Sequence, residues 1–260
     1  MISLLTRIQY KDLYERMQQS ALRTCLGEVE FLSEQDTEGQ PRVALTYNRL
    51  LDQAKGDIIV FCHDDVVFVE DGWDARLTEF FSTYTYDIGG VVGVDKYNGG
   101  LLVKEGHPHC FGKFINRKGN ELKVNLYGPR AEGKKLKAVD GMFIAIRKGY
   151  KEKFDEKLDG LFFYDIDYCL RGSVGLIDLM IAHYKPADRY GIYPANMATI
   201  EAYEPYFYAK HGLTPGKTGD TRSLSASQQD YADLGHDKLW KMFEDKYLRN
   251  DNVKHEALQS

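Results

Sequence analysis

The stretch DIIVFCHDDV, residues 57–66, constrains this chain more than any other. Five consecutive apolar residues, Ile58 to Cys62, suit a strand buried on both faces better than an alternating, half-exposed one. His63, Asp64 and Asp65 follow at once. Burying an unpaired charge costs on the order of several kcal/mol, so this cluster belongs where the strand reaches solvent or meets a cation. It is either an ordinary strand end or a metal site.

The flanking patterns give this strand its neighbours. ISLLT reads as a strand, KDLYERMQQSALRTCL as an amphipathic helix and GEVEFLSE as a second strand. PRVALTYNRLLDQAKG reads as a helix that opens on Pro41 and stops at Gly56. Strand and helix alternating in this way predict an α/β fold with a mostly parallel central sheet and flanking helices. Ligands of such sheets gather beyond the carboxyl ends of the strands, where His63, Asp64 and Asp65 fall. EDGWDARLTEFFSTY predicts another helix, packing Trp73, Leu77 and Phe80 or Phe81. IGGVVGVDKYNGG, HPHCFGKFINRKGN and the basic RAEGKKLK read as irregular segments, the histidines His107 and His109 among them as exposed. AVDGMFIAIRK is a strand interrupted at Asp140-Gly141, LDGLFFYDIDYCLRG a loop leading into a short helix, and GLIDLMIAHYK one final strand ending at His183. The later segments are helical and polar-aromatic, which predicts a domain over residues 1–190 and a C-terminal helical extension over 191–260.

Bulk properties narrow the partners. A net charge of −5 argues against a broad nucleic-acid surface. Cys25, Cys62, Cys110 and Cys169 are scattered without a CxxC pair, which predicts free thiols in a reducing cytoplasm. No segment approaches the roughly 20 apolar residues of a membrane span, and the opening residues are too short an apolar stretch for a signal peptide. The expectation is a soluble cytoplasmic protein, with peripheral association at the inner membrane face left open and the oligomeric state unspecified.

Charged residues recur at the ends or breaks of apolar elements: VFCHDDV, AVDGMF and MIAHYK, with FYDIDYCLR opening a helix. Strand ends of this kind can gather carboxylates and an imidazole around one cation, and oxygen-rich sites suit Mg²⁺ or Mn²⁺ shared with substrate phosphates. Glu34 near the end of the second strand and Thr6 on the first are candidates to line the same pocket.

The order of these motifs resembles that of family 2 glycosyltransferases with the GT-A fold. It is closest to the bacterial branch in which Asp-x-Asp becomes His-x-Asp after an apolar strand. The resemblance covers roughly residues 2–190. It implies Asp65 as a metal ligand, His63 at the first acidic position with Asp64 beside it on the donor, and Asn48 at the family's recurrent Asn. Asp140 and Gly141 would lie on the strand that closes over the donor sugar. Asp165 would be the base, with Tyr164 in place of a Glu, and His183 would reach the metal or the diphosphate. The implied activity is metal-dependent, inverting transfer of a sugar from a nucleotide-diphosphate donor to a glycan or lipid-linked glycan acceptor, with Mn²⁺ or Mg²⁺. The product would belong to a bacterial surface polysaccharide.

Plainer roles stand beside these. Asp165 can simply favour a helix N-terminus, Asp167 and Arg171 are spaced as a surface i,i+4 ion pair, and Asp140-Gly141 is a turn dipeptide. Two further functions are open. One is a non-catalytic sugar-nucleotide-binding protein of the same fold, kept alive by His63 and Tyr164 standing where acids are expected. The other is a His-Asp metal phosphohydrolase, a class built on helices rather than on strand ends.

Overall fold

The computed structural model describes residues 1–35, 42–99, 109–118, 121–150, 152–185 and 193–213. The first half alternates as the pattern predicts: β1 (Ile2–Ile8), α1 (Lys11–Thr24), β2 (Val29–Gln35), α2 (Val43–Leu51) and β3 (Ile58–Cys62). There follow β4 (Val66–Phe68), α3 (Trp73–Thr83), β5 (Ile88–Gly90), β6 (Val92–Val94), β7 (Cys110–Lys118) and β8 (Glu121–Tyr127). The rest comprises β9 (Lys135–Leu136), β10 (Ala138–Val139), β11 (Phe143–Arg147), a 3-10 turn at Glu156–Leu158, α4 (Tyr164–Cys169), β12 (Val174–Leu176), β13 (Ile181–Lys185) and α5 (Tyr193–His211). Pro41, the border near residue 190 and the residues from 214 onward lie outside the described residues.

Among the described residues the strands form two sheets. The larger runs β2-β1-β3-β11-β5-β12-β9, and the smaller β10-β6-β7-β13-β4 with β8 added on β7. Ile58 to Cys62 are all buried between β1 and β11, as a continuous apolar run requires. The α/β architecture with flanking helices holds, but the large sheet is mixed. β1 pairs β2 and β3 in parallel, whereas β11 enters antiparallel to both β3 and β5. That reversal matters for function: Phe143 pairs with Cys62, so the start of β11 lies at the carboxyl end of β3.

Three segments differ from the sequence expectation. CFGKFINRK is not irregular but forms β7, paired antiparallel with β8. GLIDLMIAHYK is two strands in two sheets, β12 and β13, because the chain crosses over at Asp178. The carboxylate there is buried and held by Lys113 Nζ at 2.9 Å and by Arg130. The basic RAEGKKLK segment contains β9, and its Lys134 is ion-paired to Asp95 at 3.0 Å rather than lying free in solvent. His109 is likewise paired to Asp95, through Nδ1 at 3.0 Å, and His107 lies outside the described residues.

Helices cover the sheet through the apolar faces the sequence marks. α3 buries Trp73, Leu77, Phe80 and Phe81, and Trp73 packs on Phe68 at 4.5 Å between ring centroids. α2 buries Asn48 as well as its apolar face. The Asn48 amide donates to the Phe154 carbonyl and to Glu156, each at 3.0 Å, while its oxygen accepts the Phe154 amide at 2.8 Å. Asn48 therefore ties α2 to the segment before α4. Among the described residues no helix is long and apolar enough to cross a membrane.

Asn48→Ala would leave both Phe154 backbone groups unpaired in the interior. The expected cost is about 2–4 kcal/mol of unfolding free energy by urea titration; a change within experimental error would show that this clamp is not structural.

Candidate active site

β3 ends at Cys62, and the next residue is fixed by backbone: the His63 amide donates to the Met142 carbonyl at 3.1 Å. Two residues on, the Tyr184 amide donates to the Asp65 carbonyl at 2.6 Å, and His183 pairs with Val66 across the β13–β4 ladder. These pairings bring three side chains together from the two sheets. His183 Nε2 lies 3.1 Å from Asp65 Oδ1, and His63 Nδ1 lies 3.8 Å from the same oxygen. One ligand atom from each of the three falls within 4.8 Å of the others.

This cluster fits a divalent cation by its chemistry. It offers two imidazole nitrogens and one buried carboxylate. A ligating His usually has its other nitrogen fixed by a hydrogen bond, and His63 Nε2 lies 3.1 Å from the Tyr164 hydroxyl. Burial lowers the His63 pKa below its ordinary value against the opposing pull of Asp65, which keeps the ring neutral, the form that ligates.

Across from the cluster sits the break at Asp140-Gly141. The Asp140 Oδ1 accepts the Met142 amide at 2.9 Å, closing a local turn. The Gly141 amide donates to Asp165 Oδ2 at 3.0 Å. A Cβ at Gly141 would come within 2.2 Å of the Tyr164 hydroxyl and 3.1 Å of Asp165 Oδ2, so glycine is what lets α4 approach this turn. Asp165 also accepts its neighbour's amide, Ile166 N, at 2.9 Å. Burial, and then the nearby charge of Asp140, push its carboxyl up to about 7 despite these two donors. Its charged form is thus populated only toward neutral pH and above.

The other expected site residues are placed differently. Asp64 Oδ2 accepts the Gln9 and Tyr10 amides at 2.7 and 2.6 Å, so it caps α1, whose own N-cap residue Tyr10 makes no side-chain cap. Burial and Asp65 raise its carboxyl to about 6 against those two amides. Asp64 therefore does not join the cluster; it is a capping residue, and the adjacent His63-Asp64 pair is not a shared ligand set. Asn48 is spent on the clamp to Phe154. Glu34 is ion-paired to Arg49 at a partly exposed edge. Thr6 is fully buried with its hydroxyl unpartnered, sealed beneath the surface rather than lining it. Asp167 is no surface ion pair: it does meet Arg171 at 3.2 Å, but it has no exposed surface.

Two contributors were missed in the sequence. Tyr164, read only as a replaced acid, bridges His63 and the Gly141 carbonyl, the latter at 3.5 Å. Arg7, one residue beyond Thr6 at the end of β1, acts electrostatically on His63, Asp64 and Tyr164 together. Its signal was its place at the carboxyl end of a parallel strand.

The profile of the Glycosyltransferase like family matches residues 12–204. The chain belongs to this family. Among solved structures it is similar to GalNAc-T7 with UDP, GalNAc and Mn²⁺ (13% identity, TM-score 0.50), covering 94% of this chain and 54% of that one. It also matches S. aureus TarS 1–349 in complex with UDP-GlcNAc (11%, TM-score 0.49, 80% and 66% covered) and A197 from STIV (15%, TM-score 0.45, 73% and 92% covered). At such identities the likeness is one of fold, that of GT-A glycosyltransferases, and the chain spans about half of the GalNAc-T7 structure. None of the curated proteins compared matches the chain.

The raised carboxyl of this family member has a consequence for stability. Asp165 holds its proton more tightly folded than unfolded, where the ordinary value is about 3.9. Its contribution is therefore fully present below about pH 4 and is lost as pH rises through about 7. Asp165→Asn should raise the melting temperature at about pH 8 and leave it nearly unchanged at about pH 4. Equal shifts at both pH values would contradict the raised carboxyl.

Proposed function

We propose that this member of the Glycosyltransferase like family is a metal-dependent, inverting glycosyltransferase acting on a nucleotide-diphosphate sugar. The observation that carries the reading is one juxtaposition. The His63–Asp65–His183 cluster meets the Gly141 turn through the Tyr164 hydroxyl, and the amide of that turn donates to the Asp165 carboxylate.

The donor set favours Mn²⁺ over Mg²⁺, because two of its three ligands are imidazoles and Mg²⁺ prefers oxygen. Bound there, such an ion supplies positive charge to the departing diphosphate. His63, Asp65 and His183 would hold it, with Tyr164 fixing the His63 ring. Arg7 adds a cation on the same side.

The acceptor hydroxyl attacks the anomeric carbon as Asp165 takes its proton. The new C–O bond forms while the bond to the diphosphate breaks, and the nucleoside diphosphate leaves with the electron pair. One displacement of this kind inverts the anomeric centre. A positioned base contributes about 10²- to 10⁴-fold, most effectively when its pKa lies near working pH. Asp165, at about 7, meets that condition. Asp140, with one oxygen on the Met142 amide, is assigned in this reading to the donor-sugar hydroxyls. The sequence resemblance supports a glycan or lipid-linked glycan acceptor in bacterial surface polysaccharide synthesis at the cytoplasmic face of the membrane, with residues 1–190 as the catalytic domain and 191–260 as its extension.

Calorimetry with UDP, GDP, dTDP and CMP, with and without Mn²⁺, tests the reading. One diphosphate should bind only with Mn²⁺, and Asp65→Ala should abolish that binding. Asp165→Asn should retain it while losing about 10²-fold or more in transfer rate. Metal-independent binding, or normal transfer by Asp165→Asn, would overturn the respective role.

A further inference from the structure

α4 is a poor candidate to hold a catalytic group by itself. It has six residues, too few for intrinsic helical stability. Its N-cap, Phe163, sits at φ 67° in the left-handed region, uncommon for a non-glycine residue, and provides no side-chain cap. Such a conformation persists only where surrounding contacts enforce it.

Besides Tyr164 and Tyr168, which pack on the sheet side, those contacts come from the C-terminal end of α5. Phe207, fully buried, stacks on Phe163 with centroids 4.8 Å apart, and Tyr97 closes its edge at 6.2 Å. Lys210 Nζ reaches Asp167 at 2.6 Å and Asp155 at 2.7 Å, bridging α4 to the segment that precedes it. His211 Nε2 lies 2.8 Å from the same Asp167 oxygen. Asp167 is two residues beyond Asp165 and has no exposed side-chain surface. A buried carboxylate demands partners, and α5 supplies two of them. Phe207, Lys210 and His211 all lie past residue 204, where the family match ends.

We infer that the C-terminal turn of α5 is a positioning element of the active site, with Lys210 and Phe207 acting through Asp167 and Phe163 to set the orientation of Asp165. The role rests on Asp165 being the base, as proposed above. It makes α5 part of the reacting structure rather than an appended cover.

Hydrogen exchange on full-length wild type, Lys210→Met and Lys210→Arg tests the anchoring independently of any reaction. Amides of residues 163–169 should exchange about tenfold faster or more in Lys210→Met, with those of β1 and β3 unchanged. Turnover on the nucleotide sugar found by the calorimetry should fall about 10- to 100-fold in that variant with donor KM unchanged, and Lys210→Arg should restore most of it. If Lys210→Met does not fold, Phe207→Leu carries the same two readouts. Unchanged exchange in 163–169 would overturn the anchoring, and faster exchange with unchanged turnover would overturn the positioning role. Wild type that transfers no sugar would sink the glycosyltransferase reading instead, and exchange alone would then decide whether α5 anchors α4.

Discussion

The structure depends on how it supports four carboxylates crowded at one end of a sheet. Asp64, Asp65, Asp140 and Asp165 gather where β3 ends and β11 begins, and desolvation works against the charge of Asp64 and Asp165. Each is accommodated differently. Asp64 takes two amides at the start of α1, Asp140 the amide of its own turn, and Asp165 the Gly141 and Ile166 amides. Asp65 instead faces His183 and His63, side chains that are themselves metal donors. Of the four, Asp65 alone lies against two imidazoles, whereas Asp64, Asp140 and Asp165 each accept backbone amides.

The mixed sheet makes this convergence possible. A parallel β1–β3 pair delivers the His63–Asp65 segment to a strand end. Only an antiparallel neighbour can bring its own beginning to that point, and β11 does so with Asp140 to Met142. The second sheet contributes His183 through the β4–β13 ladder, so the cluster is a joint between sheets. Rigid strands on both sides suit a site that must hold its geometry during reaction.

Much of this was legible in the sequence, and what was not has physical reasons. The continuous run Ile58 to Cys62 announces a central strand, and the recurrence of acid and imidazole at apolar ends marks Asp65, Asp140, Asp165 and His183. Hydrophobic pattern does not encode which strand neighbours which, so the antiparallel entry of β11 and the division of GLIDLMIAHYK between two sheets stayed hidden. Side-chain direction was equally invisible. Asp64 just past the end of β3 and Asn48 on α2 have the right residue types, yet both are committed to backbone groups. Asp167 reads as half of a surface pair because its partners Lys210 and His211 are about 40 positions away, beyond the reach of local spacing rules.

The proposed reading joins His63, Asp65 and His183 in one cation site. Crystals grown with Mn²⁺ and a nucleoside diphosphate, measured for manganese anomalous scattering, test it most directly. A single strong peak is expected within bonding distance of all three side chains and in contact with the diphosphate. A diphosphate seated in the same cleft with no manganese between these residues would contradict it.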